Sequence, residues 1–89
     1  MLSHINSRWK KSYKNLPKII RKIANKQYKL FKQNPSHPSL HFKKIHSTQP
    51  IYSARINQNY RTIGIITEDI IIWFWIGSHD DYDKLIQSI

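Results

Sequence analysis

The sequence predicts an α+β domain: two N-terminal helices packed on an antiparallel, meander-like sheet of about four strands, closed by a short C-terminal helix. Three observations predict it. Apolar residues recur with a period near 3.6 up to residue 33, and the period changes to about 2 beyond the prolines at 35 and 38. The continuous apolar run IIIWFWIG then ends on a glycine and a Ser-x-x-Asp signature.

Residues 4–15, HINSRWKKSYKN, are expected to form a short helix with Trp9, Tyr13 and Leu16 on one face. Pro17 follows at the start of a second helix, where a missing N–H does no harm. Over residues 17–33, PKIIRKIANKQYKLFKQ, a stripe of Leu16, Ile19, Ile20, Ile23, Ala24, Leu30 and Phe31 faces inward, and lysines cover the opposite side. Pro35 and Pro38 end this helix. Residues 40–46, LHFKKIH, are expected as a first strand, and IYSARIN at 51–57 as a second. Gln58-Asn59 turns into a third strand, YRTIGIIT, and Glu68-Asp69 into the fourth, IIIWFWIG. The fourth is apolar on both faces and so belongs inside the sheet. Ser78 caps the closing helix DDYDKLIQSI, with Asp80 and Asp81 complementing its dipole.

At 89 residues the chain is expected to form a single domain, residues 1–89. A chain of this size buries only about 60% of the surface its unfolded form exposes. The absence of cysteine excludes disulfides and thiolate metal sites and fits a reducing, cytoplasmic setting. The longest apolar run is far below the roughly 20 residues of a membrane span, and residues 1–15 lack the apolar stretch expected of a secretory signal. Fifteen Lys and Arg against five Asp and Glu give a net charge of +10. All five acids lie beyond residue 67, where only one of the fifteen cations is found. Such a field favours polyanions: nucleic acid, an anionic surface or an acidic protein.

The helical hairpin LPKIIRKIANKQYKLFKQNP, the segment HPSLHFKKI, the hairpin YSARINQNYRTIGII and the tail WFWIGSHDDYDKL together resemble the RelE/ParE superfamily of bacterial toxins from type II toxin–antitoxin systems. The phrase R-I-N-x-x-Y-R is the most specific of these. The resemblance implies a small basic toxin neutralised by an acidic antitoxin protein. One branch, with RelE, HigB and YoeB, cleaves messenger RNA on the ribosome. The ParE branch shares the fold and acts on DNA gyrase without cutting RNA. The first branch is favoured here, with a ParE-like toxin or a catalytically degenerate basic binding module as alternatives.

RNA cleavage without a metal or other cofactor needs a base for the 2′-hydroxyl, an acid for the leaving 5′ oxygen, and cations on the phosphorane between them. His79 is the only histidine at the end of a central strand, and imidazole exchanges protons near neutrality. It is the candidate general acid, with an exposed first-turn histidine as the alternative. Tyr82 shares its helix face. The resemblance implies that Tyr82 orients the phosphate or stacks on a base; a core tyrosine anchoring the last helix is the other reading. Arg61 falls on the arginine of the family's Y-R motif, implying a transition-state role suited to its planar fork. Arg55 matches the arginine of R-I-N and is a substrate-binding candidate. Ion pairs to Asp80 or Asp83 are the structural alternative for both. Lys43 and Lys44 alternate faces, so only one can point at the site. Lys44 aligns with the family's lysine as base or phosphate ligand, Lys43 is assigned to substrate binding, and solvated edge lysines remain the plain reading. Asp80 is a candidate to orient His79. The other histidines form no convincing metal set, and Trp9, Trp73 and Trp75 are expected in the core or at an interface rather than as base-stacking platforms.

Overall fold

The structure, a computed structural model, describes residues 1–89. Nine short elements follow one another: β1 (Leu2–Ile5), α1 (Ser7–Lys14), α2 (Lys18–Gln33), a 3-10 turn (Pro38–Leu40), β2 (Lys43–Lys44), β3 (Ile51–Asn57), β4 (Tyr60–Thr67), β5 (Ile70–Ser78) and α3 (His79–Ser88). The strands form one sheet in the order β1-β5-β4-β3-β2. The α+β class therefore holds, with two corrections to the expected sheet.

The first correction is a fifth strand. Residues 2–5 are extended and pair in parallel with β5, Leu2 with Ile70 through Ile5 with Trp73. The helix expected from residue 4 starts at Ser7, where Asn6 caps it by accepting from the Trp9 N–H at 2.9 Å. Nothing local in LSHI specifies a strand. Its backbone is held by a distant partner, and the Ser3 hydroxyl links Trp73 Nε1 at 3.0 Å with the Tyr28 hydroxyl at 3.1 Å. The second correction concerns residues 40–46, where only Lys43 and Lys44 pair with β3. Leu40 ends the 3-10 turn instead, almost fully buried, and His41 turns the chain in a left-handed conformation at φ 44°.

The helices lie on one face of the sheet. Ile20, Ala24 and Phe31 of α2 are buried there with Trp9, Leu16, Leu40, Ala54, Ile56, Ile71, Trp73 and Ile76. Phe31 meets Trp73 edge-on at 5.2 Å between ring centroids and Phe42 at 5.0 Å. Ile19, assigned to the inward stripe, is instead 68% exposed. The buried stripe of α2 is narrower than its apolar pattern, because Ile19 lies to one side of the Ile20–Ala24–Phe31 line. Trp9 Nε1 donates to the Thr62 hydroxyl at 3.0 Å, and that hydroxyl donates to the Trp75 carbonyl at 2.8 Å. A polar chain thus ties α1 to β4 and β5.

One irregularity decides which side chains of β5 reach the other face. Ile63 pairs with Trp75 and Gly64 with Trp73, so Phe74 is an extra residue in β5. Trp73 and Trp75, which strict alternation would put together, therefore stand on opposite faces. Gly64 makes room for the core at the same place, since a Cβ there would lie 2.8 Å from Trp73 Cε3 and 2.9 Å from Ile71 Cγ1. Gly64→Ala is expected to destabilise the fold by about 1–3 kcal/mol. In thermal unfolding this appears as a loss of roughly 4–8 °C per kcal/mol; an unchanged melting temperature would mean that the core yields freely.

Candidate functional site

The face of the sheet turned away from α1 and α2 carries most of the candidate residues. Its geometry follows from strand register, because directly paired residues point to the same side. One cross-strand row runs Lys43, Ser53, Ile63, Trp75, and the next runs Arg55, Arg61, Gly77. The rows are two residues apart, about 6–7 Å along the strands. Lys44 pairs with Tyr52 and lies on the helix face. Of the two adjacent lysines, register thus brings Lys43 to the arginines and leaves Lys44 on the far side.

Arg55 and Arg61 face each other directly, an arrangement that costs stability between like charges. Neither is ion-paired: the one salt bridge in the structure joins His79 Nδ1 to Asp83 Oδ2 at 3.2 Å. No carboxylate oxygen lies within ion-pair distance of either guanidinium. Burial, and then the Arg55 charge, pull the Arg61 guanidinium below its ordinary pKa, while Tyr82 and Asp83 act the other way. A partly desolvated cation beside a second cation favours an anion in the space above them.

The β3–β4 turn is the shared platform of the site. Arg61 Nη1 donates to the carbonyls of Asn57 at 2.6 Å, Tyr60 at 3.0 Å and Gln58 at 3.4 Å. The His79 N–H donates to the Asn59 carbonyl in the same turn at 2.7 Å. The turn is itself braced by the Asn59 N–H on Asn57 Oδ1 at 2.9 Å. Arg61 therefore spends one nitrogen on the hairpin and keeps Nη2 and Nε for a ligand.

His79 opens α3, and its first turn is organised as the sequence suggested. Ser78 Oγ accepts from the Asp81 N–H at 3.2 Å, and Asp80 and Asp81 sit at the positive end of the helix. The carboxylate on the imidazole comes from Asp83, not Asp80. The i, i+4 spacing of His79 and Asp83 was the signal for it, since such residues are neighbours on a helix. With Nδ1 turned to Asp83, Nε2 is the nitrogen left to exchange a proton. Tyr82 is both anchor and neighbour. It is buried, its hydroxyl donates to Ser53 Oγ at 3.1 Å, and its ring lies 5.7 Å from the His79 ring and 6.4 Å from that of Trp75. No group of three or more His, Asp or Glu side chains is arranged to hold a metal ion, and no helix is long and apolar enough to cross a membrane.

His79, Arg61, Arg55, Tyr82 and Lys43 thus share one face, with Asp83 and Trp75 added to the expected set and Lys44 removed from it. This arrangement can grip one phosphodiester and hand a proton to one of its oxygens.

Comparison with known proteins agrees with this architecture. A family model described as a ParE-like toxin domain matches residues 17–84. A chain of the RelB–RelE antitoxin–toxin complex from Methanococcus jannaschii superposes with a TM-score of 0.74, at 22% identity over 92% of this chain and 96% of that one. YafQ from Escherichia coli strain BL21(DE3) gives 0.72, at 13% identity over 90% and 94%. YoeB from Staphylococcus aureus, in a dimer, gives 0.67, at 20% identity over 89% and 97%. At these identities the likeness is one of fold. No curated protein matches the sequence significantly.

Proposed function

The chain belongs to the ParE-like toxin family, and on that premise we propose that it is the toxin of a type II toxin–antitoxin pair and cleaves messenger RNA on the ribosome. One observation carries the reading: two arginines without carboxylate partners face each other beside the first turn of α3, where a histidine offers a free ring nitrogen. A structural ion-pair network would have consumed those guanidiniums.

In the proposed reaction the 2′-hydroxyl gives up its proton to solvent water and attacks the adjacent phosphorus, and the bond to the 5′ oxygen breaks. The products are a 2′,3′-cyclic phosphate and a 5′-hydroxyl end. Protonated His79 donates from Nε2 to the departing oxygen, while Asp83 holds the ring and offsets its charge. Arg61 and Arg55 stabilise the charge that grows on the non-bridging oxygens. Tyr82 fixes the start of α3 over the sheet. Lys43, on the arginine face, contacts the neighbouring phosphate. The excess positive charge draws the toxin to ribosomal RNA in the cytoplasm and to an acidic antitoxin.

The test is direct: incubate the purified chain with ribosomes stalled on a defined message and map the cut ends. A 2′-deoxy substitution at the scissile nucleotide should abolish the cut. Uncut message, with halted replication on induction in cells, would favour the ParE-like reading, in which the same basic face binds a protein target. Lys43→Ala should weaken cleavage by roughly 5- to 10-fold, as for one lost charge-assisted contact. Lys44→Ala should leave it within about twofold, and the reverse order would refute the register-based assignment.

A further inference from the structure

Trp75 is the side chain on this face that the proposed reaction leaves without a part. Trp9 and Trp73 are buried, at 7% and 2% exposure, whereas Trp75 is only half-buried. The extra residue at Phe74 turns it away from the helices and onto the arginine face. Its ring then lies back along its own strand over Gly77. A Cβ on Gly77 would come within 2.6 Å of Trp75 Cζ2 and 3.0 Å of Cη2. Gly77 in turn is the direct cross-strand partner of Arg61. The indole thus covers the cross-strand neighbour of Arg61, about 5 Å from the root of that side chain at the usual spacing of paired Cβ positions, while the guanidinium reaches from there to the turn carbonyls. The Tyr82 ring lies 6.4 Å from the indole between centroids, tilted by 38°.

A phosphate and the base of the same nucleotide lie several ångströms apart, and a cation beside an aromatic plate matches that pair. From this juxtaposition we propose that Trp75 forms a nucleobase-stacking subsite, holding the base next to the phosphate gripped by Arg61 and favouring purines. The larger ring system of a purine covers more of the indole, and stacking discriminates by area rather than by hydrogen bonding. Gly77 is the positioning residue, because any side chain there lifts the indole off the strand. The inference rests on an RNA substrate but not on cleavage.

The experiment therefore measures binding separately. Trp75 is the tryptophan open to quenching, so intrinsic fluorescence follows titration with a short 2′-O-methyl RNA that cannot be cut. Companion probes carry an abasic residue at each position in turn. With the wild-type chain, quenching is expected for the intact probe and lost at one abasic position, where binding falls by roughly 5- to 150-fold. Followed by the anisotropy of dye-labelled copies of the same probes, because the Trp75 variants lack the reporting indole, Trp75→Ala should bind the intact probe more weakly by a similar factor and no longer distinguish that abasic probe. Trp75→Phe and Gly77→Ala, which keep an aromatic ring on this face, should show an intermediate loss. Equal binding of all probes by the wild-type chain, or no binding of any, would overturn the subsite. So would a folded Trp75→Phe protein with undiminished base discrimination. Base-dependent quenching in a chain that leaves ribosome-bound message intact would support the subsite and overturn the cleavage reading instead.

Discussion

If the proposed cleavage holds, His79→Ala is expected to slow cutting of ribosome-bound message by roughly 10²–10⁴-fold, the range for removing a positioned general acid. The folded state should hardly notice. The His79 side chain is 43% exposed and its partner Asp83 52%, and exposed pairs of this spacing contribute about 0.3–0.5 kcal/mol. What anchors the start of α3 is backbone and cap: the His79 N–H on Asn59 and Ser78 Oγ beneath Asp81. Neither contact needs the imidazole. Asp83→Asn gives a graded comparison, because an amide still accepts a hydrogen bond from Nδ1 but no longer offsets the ring's charge. Its loss should be smaller than that of the alanine variant. Single-turnover rates and thermal unfolding of the three proteins decide the matter. A His79→Ala protein that melts normally and cuts at the wild-type rate would remove His79 from the reaction.

Arg61→Ala is expected to cost a further two roles at once. Loss of a preorganised donor to the developing phosphorane charge slows reactions by about 10²–10³-fold. Loss of Nη1 also releases three carbonyls in the turn between β3 and β4, at 2.6, 3.0 and 3.4 Å. Since water can reach that turn, the stability cost is about 1–2 kcal/mol rather than the sum of three buried hydrogen bonds. Arg61→Lys separates the two roles. An ammonium can reach a turn carbonyl and keeps the charge, but it cannot fork across two phosphate oxygens. The lysine variant should therefore recover most of the melting temperature and remain at least about tenfold slow in cleavage. If it cuts as fast as the wild-type chain, Arg61 acts as a charge and a hairpin brace only. Arg55→Ala makes the opposite case, since removing it relieves repulsion across the pair. It should leave stability unchanged or slightly raised while still weakening RNA binding.

The elements with strong local signals were legible in the sequence. Period and prolines bounded α2, the Gln58-Asn59 and Glu68-Asp69 turns bounded β4, and the two-sided apolar run marked β5 as interior. The Ser-x-x-Asp cap located the start of α3 within a residue. Charge alone indicated a polyanionic partner, because composition sums over the chain and does not depend on how it folds. The strand LSHI was not legible, since four residues of no clear pattern become a strand only when β5 supplies the hydrogen bonds. LHFKKIH failed in the opposite direction. Its pattern suited a strand, but burial of Leu40 and the left-handed turn at His41 shortened the pairing to two residues.

From its sequence alone this protein had a fold class, a basic character and a short list of reactive side chains. The tertiary structure decided which of them meet. A strand's side chains alternate strictly, so a single inserted residue or a one-step shift in pairing reverses every assignment beyond it. That parity, set by partners distant in the chain, put Lys43 rather than Lys44 beside the arginines and sent Trp75 to the face opposite Trp73.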